Sequence, residues 1–554
     1  MKKTVLSDAQ LNMMPHEALL ALYRSLEEAN ANQQAQMELL VKQNGELLKQ
    51  IETLNERISV LMQDRFGRRS EKRKVLDGQI SMDLDMADIL NEAEVAVEDG
   101  MPEEPEMETI VIRRKKPKGK READLEGLET VPVEHTIPEE RLKEKFPNGY
   151  YRLPDKVYKE LHYVPATCVV HEHHIAVYAG RKNEGILCAD RPERLLKNSI
   201  LTPSLASAVF NSKYVNALPL NRVSEEFARH GVNISRQVMA GWMIKVTQRY
   251  LQPVYTAMRR EAMKSRILHC DETPFQVLED GKEKGKSSKS YMWVCHTGER
   301  SESPPIYLYR YDPGRSTEAL MNFLEGYQGI LVTDGYSAYH KAARDNPDKL
   351  QVAGCWAHCK RGFAKLVKSL DKANPNKLTA AEAVKRIQAI YHVDNMTKGK
   401  TAEEILENRK RSVAPLVDAF FRWVDEVMSQ PMDKGGNLYG ALNYAHNQEP
   451  YLRKFLDDPI IPMDNNDAER SIRAFCVGKK NWNLSATKAG ASSSAILYSI
   501  AETSRANGLK PYEYFKYILE QILEHVEDPP SEYIDELMPW SGSLPEKCRR
   551  QVKN

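Results

Sequence analysis

Three acidic residues stand at points where the surrounding sequence pattern changes. Asp271 (ILHCDETPF) and Asp334 (GILVTDGYSAY) each follow a short apolar, strand-like run, and Glu469 (PMDNNDAERSIR) lies in a predicted helix far down the chain. Carboxylates that converge repel one another unless a cation lies between them, so such a set indicates a metal site. Two Mg²⁺ ions about 4 Å apart can activate a water and stabilise the leaving oxygen of a phosphodiester. The pattern therefore predicts metal-dependent chemistry on nucleic acid.

Each acid also has a structural interpretation. Asp271 and Asp334 could be turn residues at strand ends, and Asp334-Gly335 is a common turn pair. Glu469 could instead pair with Arg473, four residues later on the same helix face. The acids that compete for the third position are Glu272, Asp464 and Asp467.

The predicted order of elements favours the metal site. Strands are predicted at 266–270, 291–297, 305–311, 329–333 and 351–357, with helices at 316–326, 337–345 and 358–370. A meander of three strands followed by α/β alternation is the layout of an RNase H-like fold. If the first and fourth strands are neighbours, Asp271 and Asp334 lie side by side. Residues 372–456 are predicted as a helical insertion, after which the helix bearing Glu469 returns to the sheet.

Residues 34–64 carry the heptad pattern of a coiled coil. Met37 begins one apolar row, and Asn44 is the polar a-position residue that fixes register. Pairing along this seam predicts an oligomer, most simply a parallel dimer, and the alternative is an amphipathic helix packed within the same chain. The predicted dimerisation residues are Leu40, Asn44, Leu47, Ile51, Leu54, Ile58 and Leu61.

Residues 201–250 predict two helices separated by a glycine turn at Gly231, with Ser235 as the N-cap of the second. This pattern is similar to a helix-turn-helix, whose second helix enters a major groove; an ordinary helical hairpin is the alternative. Basic residues elsewhere, and a tryptophan that could stack on an unpaired base, extend the predicted DNA surface. The predicted DNA contacts are Arg236, Gln237, Lys245, Lys360, Arg361, Arg470, Arg473, Lys479, Lys480 and Trp482.

The cysteines and histidines predict no metal site of their own. His171, His173 and His174 lie near Cys168 and Cys188, but no CxxC pair is present, and structural zinc sites normally use two close pairs. The Cys355–Cys359 stretch is interpreted as buried thiols beside a structural Trp356.

The composition indicates a globular, multidomain protein. The chain has 554 residues with a net charge of +1, and an acidic block at 77–108 precedes a basic run at 113–121. The apolar stretches are too short for a membrane span or a signal peptide, so we expect a cytoplasmic protein with free thiols.

The motifs, taken in order, resemble the insertion-sequence-66 family of bacterial transposases. The stretches that carry the resemblance are FGRRSEK, ALPLNRVSEEFARHGVNISRQVMAGWM, HCDETP, TDGYSAY, GCWAHCKRGFAKL, PMDNNDAERSIRAFCVGKKNW and SIAETSRANGLKPYEYF. The resemblance implies a DDE transposase whose acids are Asp271, Asp334 and Glu469, with Mg²⁺ or Mn²⁺ as a pair of ions. It also implies binding to the terminal inverted repeats and to target DNA, in a homo-oligomer that could require accessory proteins of the same element.

The family also implies a zinc-binding module near residues 140–188, but its paired cysteines are missing here, so zinc is not carried over. A DNA-binding regulator without catalysis and a metal-dependent nuclease that does not join strands are the alternatives. The predicted segments are a helical leucine zipper (1–75), a linker (76–128), a degenerate zinc-binding-like β module (129–198), a helix-turn-helix-like region (199–260), the first part of the catalytic core (261–371), the helical insertion (372–456), the second part of the core (457–490) and a C-terminal helical domain (491–554).

Overall fold

The computed structural model describes residues 14–66, 140, 168–175, 177–179, 186–188, 193–284, 289–298, 301–371, 374–397 and 399–550. The strands are β1 (Val177–Ala179), β2 (Ile186–Cys188), β3 (Ile267–Val277), β4 (Ser290–His296), β5 (Tyr307–Asp312), β6 (Gly329–Thr333), β7 (Leu350–Gly354) and β8 (Leu484–Ser485). The α-helices are α1 (His16–Phe66), α2 (Pro203–Phe210), α3 (Leu220–Arg229), α4 (Arg236–Val246), α5 (Gln252–Ala262), α6 (Leu278–Lys284), α7 (Thr317–Phe323), α8 (Ser337–Asp345), α9 (Trp356–Ser369), α10 (Pro375–Asn395), α11 (Ala402–Asn408), α12 (Ala414–Met428), α13 (Asn437–Leu452), α14 (Asn466–Trp482), α15 (Lys488–Ala506), α16 (Pro511–Glu524) and α17 (Pro530–Tyr533).

The chain divides into two compact units. Residues 1–74 and 330–466 form one, called here the helical unit, and residues 75–329 and 467–554 form the other, called the sheet unit. Among the described helices, none has the length and apolar character that crossing a membrane requires.

A three-stranded meander lies at the centre of the sheet unit, as the sequence predicts. β4 pairs antiparallel with β3 and with β5, while the short β8 pairs parallel with β3, so the sheet is mixed. Hydroxyl groups of α15 cover the outer edge of β5: the backbone N–H groups of Tyr307 and Tyr309 donate to Thr503 Oγ1 (2.9 Å) and Ser499 Oγ (2.7 Å). These bonds satisfy donors that an edge strand would otherwise leave open.

The first strand of the meander is longer than predicted. The apolar run ends at Cys270, but β3 continues to Val277, because pairing with β4 extends to Phe275 opposite Ser290. The prediction that Asp271 ends its strand is therefore wrong: Asp271 is an interior strand residue. The helix α6 follows β3 directly.

The predicted pair of helices in 201–250 is confirmed. α3 ends before Gly231, whose φ of 79° lies in the left-handed region that glycine adopts without strain. Ser235 caps α4, since its Oγ accepts a hydrogen bond from the Val238 backbone N–H at 3.3 Å. Ile234 is buried between the two helices' ends.

Buried aromatic rings and one buried arginine form the core of the helical unit. Trp356 at the start of α9 is fully buried, packs against Phe420 and donates from Nε1 to the Leu452 carbonyl at 2.9 Å. Arg409 is also fully buried, and its charge is balanced by Asp394 at 2.8 Å. Cys355 and Cys359 are buried, as the sequence predicts.

The N-terminal helix α1 spans His16 to Phe66, so a helix throughout the predicted heptad region is confirmed. Met37, Ile51, Leu54 and Ile58 of the heptad rows are more than half exposed. Thr53 of α1 donates to Asp433 Oδ2 of the same unit at 2.5 Å. The side chains of Leu40, Asn44, Leu47 and Leu61 lie outside the described residues.

Two further predictions concern the ends of the described chain. The C-terminal segment is helical, as predicted: α15 ends at Ala506, and α16 begins at Pro511. In the predicted zinc-like segment, β1 pairs with β2, and His171, His173 and His174 are exposed. Residues 76–128 of the predicted linker lie outside the described residues.

Candidate catalytic acids

Asp271 lies in a row of residues that runs across the meander. Its register partner on β4 is Val294, and the partner of Val294 on β5 is Tyr309. Residues in register on neighbouring strands project to the same face of a sheet. The Tyr309 hydroxyl donates to the Ser471 carbonyl of α14 at 2.6 Å, so the face of this row is the one that α14 covers.

The residues that follow Asp271 confirm this orientation. Thr273 Oγ1 accepts from Cys476 Sγ at 3.7 Å and from Lys479 Nζ at 3.3 Å, both on α14. Two residues further, Phe275 meets Phe475 edge-to-face, with 5.1 Å between ring centroids. Because strand side chains alternate between faces, positions 271, 273 and 275 share the face that packs against α14.

Glu469 belongs to α14, the helix that covers this face. Position 469 lies two residues before Ser471 and seven before Cys476, which places it on the same helix face as Cys476. The end of α14 leads into β8, which pairs with the last residues of β3. The start of α14, where Glu469 lies, is therefore directed toward the earlier residues of β3. The backbone therefore brings position 469 toward the Asp271 end of the α14 contact. The side chain of Glu469 lies outside the described residues.

Glu272 projects to the opposite face of β3. Its register partner is Trp293, and its carboxylate is almost fully buried. Arg315 Nε donates to Glu272 Oε1 at 2.7 Å, and the guanidinium lies over the Tyr291 ring at 5.7 Å. Glu272, a competitor for the catalytic set in the sequence, thus forms a structural ion pair on the face away from α14.

Asp334 lies in the helical unit, directly after β6, as the sequence predicts. Its Oδ1 accepts a hydrogen bond from the Tyr336 backbone N–H at 2.9 Å, so the turn interpretation is also correct. Gly335 is required in this turn, because an added Cβ would lie 2.7 Å from Cε2 of Tyr444. The turn therefore fixes the backbone of Asp334 while leaving its carboxylate half-buried.

Asp464 also competes for the third position but has structural partners. Its Oδ2 accepts from the Tyr391 hydroxyl and its Oδ1 from the Asn466 backbone N–H, each at 3.1 Å. It thereby satisfies one of the open donors at the start of α14. Burial and the neighbouring Asp464 carboxylate raise the pKa of Tyr391. The side chain of Asp467 lies outside the described residues.

His269 and His296, two histidines that the sequence did not indicate, lie on the same face of the sheet as Asp271, two residues nearer the start of β3. His269, His296 and Tyr307 are in register, and their rings stack with centroid distances of 4.7 and 5.0 Å. Burial, with His269 and Arg470 nearby, holds the pKa of His296 well below its usual value. Its Nδ1 accepts from the Gly298 backbone N–H at 3.0 Å. In the sequence, the alternate positions of His269, Asp271 and Thr273 could have indicated that these side chains share one face of a strand.

The predicted DNA contacts fall on several surfaces. Arg236, Gln237 and Lys245 on α4, like Arg470 and Lys480 on α14, are exposed, and Lys360, Arg361 and Arg473 are half-buried. Lys479 has a structural bond as well, donating to the Pro274 carbonyl at 2.7 Å.

The Trp482 ring has a partner that the sequence did not indicate. Lys213 Nζ lies 3.9 Å from its centroid, so one face of the ring is occupied by a cation–π contact. Burial lowers the pKa of Lys213 to about 8. The Tyr498 ring lies near Trp482 as well, with 6.5 Å between ring centroids.

Within the described part of the chain, no group of three or more His, Cys, Asp or Glu side chains is arranged to hold a metal ion. Asp271 and Glu469 both belong to the sheet unit, and Asp334 belongs to the helical unit.

Comparison with known proteins yields three family matches. A model described as "Transposase IS66 family" matches residues 198–493, and "IS66 C-terminal element" matches residues 499–540. A third, "Transposase C of IS166 homeodomain", matches residues 53–133. The first match spans all three acids.

Curated relatives extend the similarity to nearly the whole chain. The uncharacterized protein y4qI of Sinorhizobium fredii is 27% identical over 545 residues, covering 95% of this chain and 96% of its own length. The uncharacterized protein y4jD of the same organism is 27% identical over 413 residues, covering 73% of this chain and 78% of its own.

Proposed function

This chain belongs to the IS66 transposase family, and on that premise we propose that it is a DDE transposase whose catalytic acids are Asp271, Asp334 and Glu469. In this proposal it binds the ends of its insertion sequence, cleaves the DNA there and joins the freed 3′-hydroxyls to target DNA. The family match supports the reaction class, and the residue roles rest on the sequence motifs and on the contacts around each acid.

The observation that carries the assignment is the orientation of Asp271. Of the two adjacent acids in HCDETP, only Asp271 lies in the row that α14 covers, and Glu469 lies on that helix. Glu272 is instead neutralised by Arg315 on the other face. Strand alternation thus places Asp271 on the face that α14 covers and Glu272 on the face where it pairs with Arg315, which supports Asp271 as the proposed catalytic acid.

The three acids fit a divalent metal by their chemistry. All three are carboxylates, the oxygen ligands that Mg²⁺ and Mn²⁺ prefer, and Asp271, Asp334 and Glu469 are the residues that would hold a pair of such ions. When bound, the ions would lower the pKa of a water and neutralise charge on the phosphate. Zinc is not part of the proposal.

The reaction balances in two displacements. In the first, a water oxygen attacks a phosphorus at the element end, the P–O3′ bond breaks, and the 3′-oxygen leaves as a hydroxyl. In the second, that hydroxyl attacks a phosphorus of the target, forming a new P–O3′ bond while the target's own 3′-oxygen leaves. The role of the carboxylates is to hold the reacting groups in line, and the exposed Arg and Lys side chains would hold the phosphates.

Roles are also proposed for the β3–β4–β5 meander, for α4 and for α1. We propose an RNase H-like core built on the β3–β4–β5 meander and its following α/β elements, and DNA contacts through the exposed start of α4. Dimerisation would use the exposed heptad residues of α1, of which Ile51, Leu54 and Ile58 are examples. A dimer would bring two element ends together.

The test uses purified full-length protein, a plasmid carrying the element ends, a target plasmid, and Mg²⁺ or Mn²⁺. D271N, D334N and E469Q should each abolish cleavage and joining while end binding persists. D464N is the matched control, because its carboxylate has structural partners; it should retain both reactions with a modest loss of stability. Normal cleavage by D271N would refute the assignment. Cutting without joining by the parent protein would indicate a nuclease, and binding alone would indicate a regulator.

A further inference from the structure

His269 is a buried imidazole next to the proposed catalytic acids, and the proposed function gives it no role. It is 3% exposed and lies two residues before Asp271 on β3. Alternate residues of a strand share one face and are about 7 Å apart, so His269 projects to the face that α14 covers, beside Asp271. Because buried polar groups are normally hydrogen-bonded, the orientation of the ring indicates which neighbour it serves.

Two contacts fix the orientation of the His269 ring. It stacks on the His296 ring with 4.7 Å between centroids and 15° between planes, and Tyr307 stacks on the other side of His296. The Cδ2–Nε2 edge of His269 lies against Gly298, since a Cβ added to this glycine would be 2.8 Å from both atoms. Gly298 also has a φ of 73°, which favours glycine. The imidazole is therefore held in place on one face and along one edge.

The position of Gly298 shows which edge of His269 faces Asp271. Gly298 follows the last residue of β4, His296, which is the register partner of His269. Because β3 and β4 are antiparallel, the chain after His296 runs beside the start of β3, away from Asp271. The Cδ2–Nε2 edge of His269 thus faces away from Asp271. The opposite edge, which carries Nδ1, lies on the side of the proposed catalytic acids.

The start of α14 lies near the two histidines. Burial lowers the pKa of His296, and the neighbouring His269 and Arg470 add to this effect. Arg470 is in the first turn and a half of α14, directly after Glu469. Asp271 Oδ1 accepts a hydrogen bond from the Glu272 backbone N–H at 2.8 Å, in the chain direction that leads away from His269. These contacts favour Glu469, rather than Asp271, as the acid that His269 serves.

We propose that His269 is a positioning residue, whose Nδ1–H donates a hydrogen bond to the Glu469 carboxylate and holds that acid beside Asp271. The inference rests on the proposed function, because it takes Glu469 to be a catalytic acid. A donor at this place orients a carboxylate that binds metal and offsets its repulsion from a second acid. The stacked rings give the donor a fixed position, which the placement of such an acid requires.

Three substitutions of His269 separate the hydrogen bond from the packing. H269N keeps an amide near the Nδ1 position, H269Q moves the amide to the Nε2 position beside Gly298, and H269F keeps a ring that can stack but has no nitrogen. H269F and H269Q should lower the cleavage rate by about 10- to 100-fold, whereas H269N should stay within about 3-fold of the parent. Binding to the element ends should be unchanged in all three, and thermal melting verifies that each variant folds.

The second measurement is the affinity of the full-length protein for Mn²⁺, determined by calorimetry in the absence of DNA. H269F should lower this affinity by about 10-fold, the scale for the loss of a partner that orients a metal ligand, and H269N should stay close to the parent. Combined with E469Q, H269F should have no further effect, because the acid that it positions is already lost. A double-mutant cycle measures this coupling.

The outcomes separate this inference from the proposed function. Cleavage and Mn²⁺ affinity of H269F equal to those of the parent would overturn the inference, and so would equal losses in H269F and H269N, since the role would then be packing. Additive losses in H269F and E469Q would also overturn it, because His269 would then serve another group. If the parent itself neither cleaves element ends nor binds Mn²⁺, the proposed function fails.

Discussion

The two units hold their acids in different ways. In the sheet unit, Asp271 is placed by the alternation of a long strand, and a covering helix identifies its face. In the helical unit, Asp334 is placed by a tight turn in which its own carboxylate accepts the Tyr336 N–H and Gly335 fits against Tyr444. The strand places Asp271 and Glu272 on opposite faces of the sheet, whereas the turn fixes the backbone of Asp334 alone. Substitutions should therefore change activity and stability in different ways in the two units.

The largest expected effect separates Asp271 from Glu272. D271N should lower the cleavage rate by about 100-fold or more, the scale for losing several kcal/mol of charge stabilisation at a metal site, and leave the melting temperature nearly unchanged. E272Q should do the reverse: it removes the charge that balances Arg315 and lowers stability by about 1–3 kcal/mol, reduced from the fully buried case because the arginine is partly exposed. Thermal melting and cleavage are measured on both.

If D271N and E272Q lower the cleavage rate equally without a change in stability, strand alternation does not separate the roles of Asp271 and Glu272. A second control is R315K, which keeps the charge but not the planar fork of donors. It should reproduce a smaller form of the E272Q stability loss without affecting the intrinsic cleavage rate.

The next largest effect tests the turn at Asp334. G335A places a methyl group against the Tyr444 ring, which should cost about 1–3 kcal/mol and reduce cleavage, because the backbone that carries Asp334 must move. G335A combined with Y444L should recover part of both, since the leucine leaves room for the methyl group. Equal losses in the single and double variants would show that the strain arises elsewhere, as a double-mutant cycle would reveal.

The sequence indicated the elements of both units but not the details that assign the acids. Heptads, caps and apolar runs depend on neighbours in the chain, and so α1, the Ser235 cap and the order of the meander were predictable. The length of β3 was not, because it depends on pairing with β4 across residues whose own pattern, DETP, favours a turn. The partners of Glu272 and Asp464 could not be predicted either, since Arg315 and Tyr391 are distant in sequence.

A smaller effect concerns pH, and it compares a buried histidine in each unit. Burial lowers the pKa of His296 in the sheet unit and of His340 in the helical unit, where Asp334 opposes the shift. A histidine whose pKa is lowered in the folded protein binds fewer protons there than in the unfolded chain. The free energy of unfolding therefore decreases as the pH falls below about 6.5. His269 and Arg470 face His296 and add to the repulsion of a proton.

H296Q should therefore flatten the decrease in the free energy of unfolding between pH 7 and pH 5, to which one histidine contributes at most about 1.4 kcal/mol per pH unit. H340Q should flatten it less, because Asp334 stabilises the protonated form. Chemical denaturation across this range is the measurement. A larger effect of H340Q than of H296Q would reverse the expected ranking of the two units.

The smallest effect tests the bond that identifies the face of Asp271. Y309F removes the hydroxyl that donates to the Ser471 carbonyl and keeps the buried ring. The expected loss is about 1 kcal/mol, typical of one hydrogen bond. Because Ser471 is two residues from Glu469, a loosened α14 should also lower the cleavage rate more than this loss of stability explains. Y311F is the matched control: its hydroxyl bonds Asp280 of α6 and not a residue of α14, so it should affect stability alone. If both variants lower cleavage equally, the contact between Tyr309 and α14 does not position Glu469.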